Sequence, residues 1–182
     1  MAEHSAGTHS KSDIGDDAGD SRGASGDPIA RLKELDYDIQ LLSNMGSLLS
    51  WDQETYMPEA AIDDRSKQVS LLSSIVHERE TSDEIGTLLS QLGADESRPS
   101  GGDAVPEAER AFVREFYRDY RMETKLPADF VRRMSEAASK GQSIWAGARA
   151  SDDFSKFRDH LAKIIELNKE KAEYLGYREH PF

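Results

Sequence analysis

Ile29, Leu32, Leu35, Ile39, Leu42, Met45 and Leu49 recur at steps of three and four. That spacing lays one apolar stripe along a helix and conflicts with the period of two that a half-buried strand needs. Asp27 as cap and Pro28 at the first helical position predict where this helix starts, and it is expected to run to about residue 50. The same periodicity recurs in Ile62, Arg65, Val69, Leu72 and Val76, and in Ile85, Leu88, Leu89 and Leu92 behind a capping Ser82. Pro106 opens a fourth helix with Phe112, Phe116, Tyr117 and Tyr120, which Leu126-Pro127 interrupts. A fifth with Phe130, Val131 and Met134 is expected to end near Gly141, and residues 142–150 with Trp145 to form a separate short helix. Ser151 is expected to cap a long last helix through Phe154, Phe157, Leu161, Ile164, Ile165, Leu167 and Tyr174, with Gly176 closing it. No stretch alternates with period two, so the fold class is all-α, with several helices.

Residues 1–27 carry one large aliphatic side chain, Ile14, among repeated Ser, Gly, Asp and Ala. Such a stretch cannot bury enough apolar surface to offset its ordering entropy, so it is expected to be a disordered acidic tail. Residues 28–182 then form the folded part, with 93–105, rich in Gly and Pro, as a mobile loop.

The net charge of −12 argues against nucleic acid as a partner, because an acidic surface repels phosphate backbones. No run of about 18 apolar residues exists, so no membrane partner is expected and the chain is placed in the cytoplasm. With Cys 0, disulfides, thiolate metal sites and cysteine nucleophiles drop out. His77-Glu78-Arg79-Glu80-Thr81 comes nearest to a zinc-peptidase helix, which needs a second His at the fifth place; Thr81 stands there instead. His4, His9, His160 and His180 are scattered. On the residues alone, no catalytic group and no metal ligand is assigned.

The string Leu48-Leu49-Ser50-Trp51-Asp52-Gln53-Glu54-Thr55-Tyr56-Met57-Pro58, followed by Arg65, Gln68, Leu71, His77-Glu78 and Thr81-Ser82, closely resembles the amino-terminal region of the carboxypeptidase Taq (M32) metallocarboxypeptidases. The likeness continues through Trp145, Ala148-Arg149, Asp153-Phe154, Ile164-Ile165-Glu166-Leu167, Tyr174-Leu175-Gly176-Tyr177 and His180-Pro181. It implies a larger helical fold, an enzyme that removes single residues from peptide C-termini, and commonly a homodimer. It also implies zinc or cobalt in the full-length family, held by a His-Glu-x-x-His helix and a later Glu. Those ligands are expected beyond Phe182, so no cofactor is expected in this chain and no catalytic residue carries over. Trp51, Asp52, Thr55, Met57, Pro58 and Arg65 are expected to be structural: Trp51 buried, the string forming a turn between two helices, and Arg65 pairing with an acid. The expected function is an amino-terminal fragment of a metal-dependent carboxypeptidase, inactive alone. The alternative is a non-catalytic helical module for interaction or dimerisation; helices that lack the remainder they pack against are expected to expose an apolar face.

Overall fold

The computed structural model describes residues 26–177, 179 and 180. The tail expected over 1–27 therefore lies outside the described residues, apart from its last two. Six helices follow: α1 Pro28–Thr55, α2 Ile62–Glu80, α3 Asp83–Gln91, α4 Arg110–Glu123, α5 Ala128–Ala150 and α6 Ser155–Leu175. Short 3-10 turns at Glu59–Ala61 and Glu107–Glu109 lead into α2 and α4, and no strand occurs among the described residues. None of these helices is long and apolar enough to cross a membrane.

The start of α1 is as expected: Asp27 Oδ1 accepts from the Ile29 N–H at 3.0 Å and Pro28 opens the helix. Its end is not. The helix runs on through Trp51, Asp52 and Thr55, so most of the expected turn is helical. Nothing in Ser50–Thr55 breaks a helix; the first residue that does is Pro58. At its amino-terminal half α1 buries Ile29, Leu32, Leu35 and Ile39 against Ile85 and Leu89 of α3 and Val113 of α4. Residues 93–105, expected to be mobile, contribute buried Ala94 and Val105 to this core, and the Gly102 N–H donates to Leu92 O at 2.8 Å.

A second core joins α5 to α6 through Leu126, Phe130, Ala137 and Leu167. Here α5 is one helix of 23 residues, not a helix ending at Gly141 plus a shorter one. Gly141 sits in its interior because α6 passes close by: an added Cβ would lie 2.9 Å from His160 Nε2 and from Ile164 Cδ1. Ser151 ends α5, while Asp153 Oδ1 accepts from the Ser155 N–H and starts α6. Gly176, at φ 83°, closes α6 as expected.

Between the two cores lies α2, whose buried face is polar: Ser66, Ser70, Ser74 and His77. The expected face of Val69, Leu72 and Val76 is only half-buried. Serine is small enough for α2 and α5 to approach closely, and each hydroxyl finds a partner. Ser70 Oγ donates to Arg132 O at 3.3 Å, Ser73 and Ser135 share a bond of 2.8 Å, and Ser74 Oγ donates to Ser70 O at 3.1 Å. Satisfied in this way, buried hydroxyls carry little penalty.

Candidate functional site

The string around Trp51 becomes a three-helix joint. Arg65, on the first turn of α2, sends Nη1 to Leu49 O and Nη2 to Asp52 Oδ2, both at 2.5 Å, and Nε to Gln68 Oε1 at 3.1 Å. The expected acid partner of Arg65 is thus Asp52, in the last turns of α1, where a cation also complements the helix dipole. Thr55 Oγ1 donates to Trp51 O at 2.7 Å, and the Met57 N–H donates to Asp52 O at 3.0 Å, turning the chain toward Pro58. Gln53, which the sequence did not single out, ties α1 to α5: Nε2 donates to Ser139 O at 3.0 Å and Oε1 accepts from Ser139 Oγ at 2.9 Å. Trp51 departs from expectation. It is 55% exposed and stacks edge-on against Tyr56, with ring centroids 5.5 Å apart.

At the far end of α2 the fold assembles a group that the sequence reading did not foresee. His77 is buried at 5% exposure. Its Nε2 lies 3.0 Å from Leu126 O, the carbonyl just before α5, and its Nδ1 lies 3.4 Å from Glu123 Oε2 at the end of α4. Glu80 stands one turn along α2, and one donor atom from each of His77, Glu80 and Glu123 lies within 4.8 Å of the others. Burial, then the negative charges of Glu123 and Asp119, push the Glu80 carboxyl up to about 7.

The residues at this end of α2 do not fit the His-Glu-x-x-His arrangement that the resemblance implies for a catalytic metal. Thr81 Oγ1 donates to His77 O at 2.7 Å, and Glu78 is exposed. The carboxylates grouped with His77 are instead Glu80, three places on, and Glu123, 46 places on. The first of these was visible as a His-x-x-Glu pair on one helix face; the second leaves no local trace.

The raised carboxyl has a consequence for stability. In the unfolded chain Glu80 ionises near 4.5, and in the folded protein near 7. Between these values the folded state holds the extra proton, so stability falls as pH rises through that window. Partial exposure screens the effect to about 1–2 kcal/mol. In chelator-treated protein, Glu80→Gln should raise the melting temperature at pH 8 and leave it nearly unchanged at pH 4.5. An equal shift at both values would contradict this.

Similarity to known proteins extends over most of the chain. The family model described as carboxypeptidase Taq (M32) metallopeptidase matches residues 31–182. A relative from Pyrococcus furiosus named thermostable carboxypeptidase 1 is 38% identical over 144 residues, covering 79% of this chain and 28% of the relative. Its namesake from Thermus thermophilus is 31% identical over the same length and shares. Among solved structures, one described as BsuCP superposes with a TM-score of 0.76 at 28% identity, covering 85% of this chain and 30% of that one. The chain thus spans less than a third of the length of the relatives it matches.

Proposed function

The chain belongs to the carboxypeptidase Taq (M32) metallopeptidase family, and on that premise we propose that it is the amino-terminal helical part of a metal-dependent carboxypeptidase acting on peptide C-termini. The observation that carries this reading is the match over residues 31–182 combined with coverage of only 28% of the relatives. The remaining length of such an enzyme needs a surface to pack on, and α1 offers one. Tyr37, Leu41, Leu48 and Trp51, together with Met45, which was expected on the inner stripe, are all exposed and recur at steps of four and three, which puts them on one face, opposite the buried Ile29, Leu32, Leu35 and Ile39. An apolar stripe of this length on a helix of 28 residues is more than a lone exposed leucine and marks a contact surface.

The role proposed for the Trp51–Arg65 string is to hold that face in place by locking α1 to α2 and α5. Peptide hydrolysis is not proposed for these 182 residues by themselves, since activated water requires the family's paired histidines and they are absent from the sequence. The purified chain should release no amino acid from an amino-blocked dipeptide, with or without added zinc or cobalt. Chelator-sensitive release would overturn that.

A second reading, a helical module that uses the α1 stripe to dimerise or bind a partner, draws on the same exposed face. Concentration-dependent sedimentation abolished by Leu41→Lys and Leu48→Lys would favour it.

A further inference from the structure

Which of its two nitrogens carries the proton decides what the His77 ring can do. Nε2 faces Leu126 O at 3.0 Å, and a carbonyl oxygen only accepts, so Nε2 is the N–H. In the neutral ring that leaves Nδ1 with a lone pair. Yet Nδ1 points at Glu123 Oε2, another acceptor, with the Glu80 carboxyl beside it. Three electron-rich atoms therefore converge on one spot from α2 and α4. Among the described residues no lysine or arginine pairs with Glu80 or Glu123. Partly buried carboxylates side by side need a counter-charge, either a proton or a cation.

At the Nδ1–Oε2 pair, distance favours the cation. The gap of 3.4 Å between Nδ1 and Oε2 is beyond the ~2.7–3.2 Å of a good N–H···O bond. For this one pair it matches the ~3.4 Å edge between two ligands each about 2.1 Å from a tetrahedral ion, and all three donors lie within 4.8 Å of one another. The ring's other nitrogen is also held as in known metal sites, where a ligating histidine donates its remaining N–H to a backbone carbonyl and so fixes its tautomer.

We propose that His77 Nδ1, Glu80 and Glu123 form a binding site for a divalent transition cation, with zinc best matched to one imidazole nitrogen and two carboxylate oxygens. The cation links the carboxy-terminal ends of α2 and α4 beside Leu126, where the second core begins, and acts as a clamp between these two helices. It needs no peptidase chemistry, so a chain that cleaves nothing can still bind it.

The test uses the full chain, stripped with chelator and dialysed, and zinc chloride as the probe. Calorimetric titration should show one equivalent bound, with a melting temperature that rises on zinc addition and falls back on chelation. Glu80→Gln and Glu123→Gln keep the side-chain shape at half-exposed positions and should keep the helical circular dichroism, while each weakens zinc binding at least tenfold. Both variants retain His4, His9 and His180, so weakening in both assigns the ion to the α2–α4 cluster. No saturable binding, or less than tenfold weakening in either variant, overturns the proposal.

Discussion

Phe130→Ala should lower the stability of the chain by about 3–5 kcal/mol, the largest effect expected of a single truncation here. Phe130 is 1% exposed, packs edge-on against Tyr174 with centroids 5.4 Å apart, and lies under the Arg133 guanidinium at 5.7 Å. It anchors the core of α5 and α6, where Leu126, Ala137 and Leu167 are its buried companions, none of them aromatic. The first core, built on Leu32, Ile85, Leu89 and Val113, shares none of these residues. The loss should therefore be uneven. Amide hydrogen exchange is expected to speed up strongly in α5 and α6 and much less in α1 and α3. Uniform loss of protection would show instead that the serine seam of α2 couples the two cores into one cooperative unit.

Gly141→Leu should cost about 2–3 kcal/mol even though leucine favours helix more than glycine by close to 1 kcal/mol. The side chain would have to enter space already held by His160 and Ile164, at 2.9 Å from Cβ. It would also push the His160 ring off Ala137 O, to which Nε2 lies at 2.7 Å. Gly147, on the same helix with nothing within 4 Å of an added Cβ, is the control: Gly147→Leu should be neutral or stabilising. Thermal melts of the pair decide the matter, and similar effects at both positions would mean that α6 does not approach α5 as described.

Gly141 also shows where reading along the chain stops working. A glycine after a helical stripe reads as a terminator, because its local meaning and its packing meaning look alike in sequence; only the approach of a helix twenty residues later tells them apart. Signals carried within one turn were legible: Asp27-Pro28 at the start of α1, Ile85 and Leu89 facing inward, Gly176 at the end of α6. The serine face of α2 was not, since hydrophobicity points to Val69, Leu72 and Val76 whereas close helix contact selects for small side chains. The all-α class and the family likeness depended on many residues in order and held. The burial of Trp51 rested on residue type alone and failed, because the face of α1 that carries it has no partner among the described residues. For the His77 cluster, one of three members comes from a helix 46 positions away, so periodicity could not supply it.

The account turns on the chain being the front part of a larger peptidase, and the most direct test is to read the gene past the codon for Phe182 in all three frames. A His-Glu-x-x-His helix followed by a glutamate in any frame is the predicted result, and it would give the α1 stripe its covering partner. Unrelated sequence in every frame would contradict the reading and leave the self-associating helical module in its place.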